Sequence, residues 1–157
     1  MTAKVTIGSL DDVRLEVTAQ YNPKELAIER SVPWTEHKAV KADKAYIEYA
    51  CGDGRSMSLE LFFDSYEGGG SVQTNISDLT RMSMVRDPSS TKEEYLRPHR
   101  VVVAWGSSGA DYMPAFRGVI ESLSTKYTMF DPRGKPVRAT CTVKIKEAAN
   151  LRGGKGK

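Results

Sequence analysis

His37 and His99 are the only histidines in the sequence, and Cys51 and Cys141 the only cysteines. Any metal centre or nucleophilic site would have to be built from them and from nearby carboxylates. Zinc asks for Cys or His ligands at short, regular spacing. The two histidines sit in separate polar segments, and neither has a Cys, His or carboxylate at that spacing, so they read as surface histidines. Two cysteines far apart make no disulfide framework and no metal signature. Cys141 alternates with apolar residues and reads as a small buried thiol. Cys51, beside Gly52-Asp53-Gly54, reads as exposed near a turn.

The remaining chemical signals are equally thin. Residues 106–109 read Gly-Ser-Ser-Gly, which is not the strand-to-helix elbow of a serine hydrolase, so a hairpin turn is expected. Residues 68–74, GGGSVQT, place glycines before a helix N-terminus, where an anion can bind. They lack the Lys-Ser/Thr of a phosphate loop, and a linker into a helix is the better reading. Asn75-Ile76-Ser77 matches a glycosylation sequon but falls on a helical pattern, in a chain that opens without the apolar run of a signal peptide. The paired acids Asp11-Asp12 and Glu93-Glu94 are neighbours in sequence, so their side chains point apart and are expected to be solvated. These residues compose no catalytic centre; the expectation is a protein without catalysis, metal or cofactor.

The positions that matter instead lie on the elements. In residues 136–147 the chain alternates: Val137, Ala139, Cys141, Val143 and Ile145 on one side, Arg138, Thr140, Thr142, Lys144 and Lys146 on the other. A period of two means a strand with one face on a core. Residues 116–130 form a long partner, joined to it through the turn at 131–136. Further strands are expected at 4–7, at 13–21 (Val13, Leu15, Val17, Ala19 and Tyr21 on one side), and at 56–66, where Phe62 interrupts a polar face. The nearly continuous apolar run at 100–105 suggests a strand covered on both faces. Pro23 and Asn22 break the chain after the second strand. Ser71 caps a helix of roughly three turns with Val72, Ile76, Leu79 and Met82 on one stripe. Residues 31–47, polar and without a clear period, read as a long loop or extended arm holding Trp34.

The fold expected is mainly β: a β-barrel or sandwich of about six or seven strands with one flanking helix. One domain spans 1–148, and 149–157 form a Gly/Lys tail expected to be disordered. The 157 residues suffice for a sizeable core, and a 39% hydrophobic and 27% charged composition is that of a soluble chain. The net charge of +3 demands neither nucleic acid nor membrane. The basic residues nonetheless concentrate after residue 133, and Trp34, Tyr46 and Tyr49 supply aromatics. An oligonucleotide-binding barrel is therefore the alternative, although the aromatics and the Lys/Arg cluster do not interleave. Nothing approaches the length of a membrane span, and synthesis and folding in the cytoplasm are expected.

Five segments in order resemble one family: "QYNPKEL" (20–26), "PWTEH" (33–37), "LELFFDSYE" (59–67), "RPHRVVVAWG" (97–106) and the whole of 116–147. Their order and spacing are similar to the tube-protein domain of contractile injection systems, which are phage-tail-like particles. The resemblance implies a β-barrel or sandwich with one flanking helix, assembled as a hexameric ring around a channel. Its nearest likeness is to the tube initiator or baseplate adaptor, which joins the spike to the first tube ring, though the LysM module that often follows is missing here. The implied partners are identical subunits, neighbouring tube rings, spike and baseplate proteins, in a phage tail or phage-tail-like particle assembled in the cytoplasm. The implied interface residues are Trp34, His37, Tyr46, Arg97 and His99. The polar face of Arg138, Thr140, Thr142, Lys144 and Lys146 is then either channel lining or a plain solvated strand face. The arm at 31–47 either reaches a neighbouring subunit with Trp34 as anchor, or folds back so that Trp34 plugs its own barrel.

Overall fold

A computed structural model describes residues 3–37, 46–49, 54–68, 71–106 and 111–148. The tail at 149–157, Cys51 and most of the Gly-Ser-Ser-Gly segment lie outside the described residues. The described residues form nine strands and one α-helix. Seven strands make one antiparallel sheet: β1 (Val5–Ser9), β2 (Glu16–Thr18), β3 (Leu26–Arg30), β6 (Arg55–Asp64), β7 (Val101–Trp105), β8 (Phe116–Phe130) and β9 (Pro136–Glu147), in the order β2-β1-β7-β8-β9-β6-β3. The other two, β4 (Trp34–His37) and β5 (Tyr46–Tyr49), pair only with each other. The mainly β expectation with one helix is met, with more strands than the sequence pattern reveals.

The β8–β9 hairpin is the spine. Its turn is set by Asp131, whose carboxylate accepts from the N–H groups of Arg133 (2.8 Å) and Lys135 (2.9 Å). Gly134 supplies the positive φ, +84°, that an L side chain resists. Along β9, Val137, Ala139, Cys141, Val143 and Ile145 are all buried, as the alternation requires. Ala139, Cys141, Val143 and Ile145 meet Met57, Leu59, Leu61 and Phe63 of β6 in the same core.

β8 changes partner at Gly118. Up to this residue β8 pairs with β7; beyond it, with β9. A Cβ here would lie 2.0 Å from the Lys146 carbonyl oxygen, so only glycine permits the backbones to cross so closely. A bulge between Ile120 and Ser122 shifts the register. The fold carries β1, β2 and β7 over to the inner face, where Val5, Ile7, Val17, Val101 and Val103 join the core. Helix α1 (Val72–Ser83) closes the side against β8, β9 and β2. Ser71 caps it, its Oγ accepting from Gln73 N at 3.2 Å, and Val72, Ile76, Leu79 and Met82 are its buried stripe.

Four expectations change. The segment 31–47 is no plain loop: β4 and β5 pair as an antiparallel ribbon, with the residues between them outside the described ones. The strand expected over 13–21 narrows to three residues, because Val13 (85% exposed) belongs to the preceding turn and Tyr21 makes only an isolated bridge to Phe62. The valine strand β7 is not covered on both faces; Val101 and Val103 are buried while Val102 and Ala104 are half-buried. β3 is an additional edge strand on β6.

Candidate functional site

The outer face of the sheet is built by register. Ser56, Ser58 and Glu60 of β6 lie opposite Lys146, Lys144 and Thr142 of β9. On its other flank β9 places Lys144, Thr142 and Thr140 opposite Ser122, Ser124 and Lys126 of β8. Arg138, at the far end, bonds Asp64 across the strand pair (3.1 Å). The face is therefore a continuous polar surface across three strands, with charges of both signs; Glu121 approaches Lys144 at 3.9 Å. Val119 opposite Lys146 and Met129 opposite Arg138 add half-buried apolar side chains, and Phe62 is the aromatic interruption of the face. It lies half-buried, its ring 5.8 Å from that of Tyr21 and 6.0 Å from the Arg138 guanidinium, which explains an aromatic on a polar face.

The ribbon is a second feature. Trp34 is 55% exposed and Ile47 62% exposed. Glu36 pairs with Ile47, and Trp34 is two residues from Glu36, so Trp34 and Ile47 stand on the same face. Trp34 is no plug of this barrel's core. His37 and Tyr46 pair opposite each other in the ribbon backbone.

The third feature is the corner between the β1–β2 turn and the segment before β7. Arg97 donates from Nη1 to Asp11 Oδ2 at 2.8 Å, and Asp11 Oδ2 also accepts from Arg100 N at 2.8 Å. Burial alone would push the Asp11 carboxyl up, but Arg97 and the Arg100 N–H outweigh it and hold it below the ordinary carboxylate range. Asp11 is thus no solvated acid, as adjacency to Asp12 suggested; it is a half-buried ion-pair partner. His99 is not a surface histidine. It is 8% exposed, with Nδ1 2.7 Å from Ser9 Oγ. Ser9 Oγ already accepts from Asp11 N (3.1 Å) and Asp12 N (3.0 Å), which use both lone pairs. Its hydrogen therefore goes to Nδ1, and His99 is the neutral tautomer protonated on Nε2. Burial and the neighbouring Arg86 push its pKa down, against the opposing pull of Asp11 and Asp12.

The structure thus places the expected residues in three regions: Trp34, His37 and Tyr46 on the ribbon, Arg97 and His99 in the corner, and Arg138 to Lys146 on the outer sheet face. Sequence reasoning missed Ser9, Asp11 and the cations Arg81, Arg86 and Lys92 near His99, because no local pattern links positions so far apart. Among the described residues no group of three or more His, Cys, Asp or Glu could hold a metal ion, and no helix is long and apolar enough to cross a membrane. The family model described as contractile injection system tube protein matches residues 3–153. No curated protein matches the chain.

Proposed function

The chain belongs to the contractile injection system tube protein family, and from that premise we propose that it forms a hexameric ring at the baseplate end of the inner tube, as the initiator joining the spike to the first tube ring. The observation that carries this reading is the outer sheet face. Serines, threonines and charges of both signs make up most of it across β6, β9 and β8, with Phe62, Val119 and Met129 as half-buried apolar positions among them. A mostly polar surface suits a conduit wall, since passing cargo finds little to adhere to. In this reading Arg138, Thr140, Thr142, Lys144 and Lys146 look into the channel.

The edges support a ring. β2 and β3 end the sheet on opposite sides, and β3 is exposed along most of its length. An open edge invites aggregation unless something covers it. In a head-to-tail ring each edge meets a neighbour and none is left over. The β4–β5 ribbon reaches the adjacent subunit or ring, where Trp34 is buried as an aromatic anchor. His37 and Tyr46 lie on that ribbon. Arg97 and His99 brace the corner behind a ring contact. Neighbouring tube rings, spike and baseplate proteins are the partners, and the protein does its work through interfaces rather than by catalysis.

The test uses the native producer: tag this protein, purify it gently, and image the eluate by negative-stain electron microscopy. Sheathed rods or baseplates labelled near one end are expected. Label along the whole inner tube would replace the initiator by an ordinary tube subunit. An eluate of single small particles would overturn the ring.

A further inference from the structure

Behind α1, a cleft of about 550 Å³ opens beside His99. Three cations line it: Arg81 from the last turn of α1, Arg86 just beyond, and Lys92 before the 3-10 turn at Glu93–Tyr95. None has a carboxylate within ion-pair distance among the described residues, whereas Arg14, Arg55, Arg97, Arg138 and Lys144 all do. Arg86 lies 4.5 Å from the centre of the Tyr95 ring and Lys92 5.8 Å from it, so one aromatic ring orients two of the three cations.

Two carboxylates, Asp12 and Asp87, also line the cleft and offset part of this charge, leaving the lining net positive. Asp12 Oδ1 accepts from Arg14 N and Nε, and Asp87 Oδ1 from Ser89 N and Oγ; both serve their own turns. His99 presents a neutral ring whose Nδ1 is taken by Ser9, which leaves Nε2–H as its donor. The rim is apolar: Met84 and Val85 are exposed there.

We propose that this cleft is a docking site for an acidic, partly apolar peptide segment of a partner protein. Guanidinium forks match carboxylates two bonds at a time, and the Met84–Val85 rim takes an adjacent apolar side chain. A nucleic acid is disfavoured by the same geometry. Tyr95 already has two cations on it and is not free to stack a base, and Met84 and Val85 offer phosphates nothing. The site does not depend on the ring reading.

The test titrates the whole protein, at near-physiological salt, with a fluorescein-labelled peptide of glutamate and leucine. The same peptide with lysine for glutamate, and single-stranded DNA, are run beside it. Binding is followed by anisotropy, and its place by amide and His99 Nε2–H shifts. Arg81 and Lys92 are exposed, so R81E/K92E keeps the fold, which thermal unfolding verifies. The acidic peptide is expected to bind and to shift His99, the lysine peptide and DNA not to, and R81E/K92E to weaken the acidic peptide by about tenfold or more. No binding of the acidic peptide, equal binding to wild type and R81E/K92E, or DNA in its place would overturn the proposal.

Discussion

The side-chain amide of Gln20 stands beside Asp64 as a strand would. Its Nε2–H donates to Asp64 O at 2.7 Å, and its Oε1 accepts from Asp64 N at 2.8 Å. The reason lies in the register: β3 pairs with β6 only up to Leu59, and beyond it the β6 edge meets only the isolated Tyr21–Phe62 bridge. Gln20→Ala is expected to lower stability by about 1 kcal/mol and to speed hydrogen exchange at the Asp64 amide. Gln20→Glu keeps the acceptor and loses the donor, so it should cost more, with an oxygen facing the Asp64 carbonyl. Denaturant midpoints and exchange rates of the two variants check this; equal effects would refute the pairing as described.

His99 makes stability depend on pH. Its folded pKa lies below the ordinary 6.5, so the unfolded chain binds the extra proton first. The contribution is therefore fully present above about 6.5 and is lost as the pH falls from there toward the depressed folded pKa. Asp11, also depressed, acts in a separate window, losing its contribution only as the pH falls below the ordinary 3.8. Unfolding free energy measured as the pH falls from about 6.5, and kept above the 3.8 where Asp11 begins to matter, should decline in wild type and lose that decline in His99→Gln. Ser9→Ala strands the Asp11 and Asp12 amides and the ring nitrogen together, at a cost of about 1–3 kcal/mol.

Gly118 and Gly8 are a matched pair for testing close approach. Gly118→Ala puts a methyl 2.0 Å from the Lys146 carbonyl oxygen, where backbone rather than side chain must give. A loss of about 3 kcal/mol or more is expected, seen as collapse of soluble yield or of the thermal midpoint. At Gly8 the nearest atom is Glu16 Cγ at 3.6 Å, ordinary contact. Gly8→Ala should stay within about 0.5 kcal/mol of wild type.

Elements with one face on the core were the legible ones. The alternation in β9 named all five of its buried residues, and the stripe Val72, Ile76, Leu79, Met82 named the buried face of α1. β3 left no such trace because it is a short edge strand, its Ile28 and Glu29 both exposed. The Ser9–His99 pair was hidden for another reason. A lone histidine in a polar stretch carries no sign of burial, and its partner lies 90 positions away. Likewise Phe62 is an exception in the sequence pattern because Tyr21 and Arg138, distant in the chain, are what stand beside it.

Trp34 separates folding from assembly. Trp34 is 55% exposed and lies outside the core cluster, and among the described residues the β4–β5 ribbon pairs with no other strand. Trp34→Ala should change the stability of the isolated protein by about 0.5 kcal/mol at most, seen as a nearly unchanged thermal midpoint. An aromatic anchor buried at a subunit contact is worth about 2 kcal/mol or more, and in the proposed ring that loss would recur at every copy. The same substitution in the producing cell should therefore deplete intact particles while the protein itself accumulates. Ile47→Ala, on the same ribbon face, should act in the same direction with a smaller effect. Particle counts by electron microscopy against protein level by immunoblot make the comparison. Normal particle numbers with Trp34→Ala would remove the ribbon from the assembly contact.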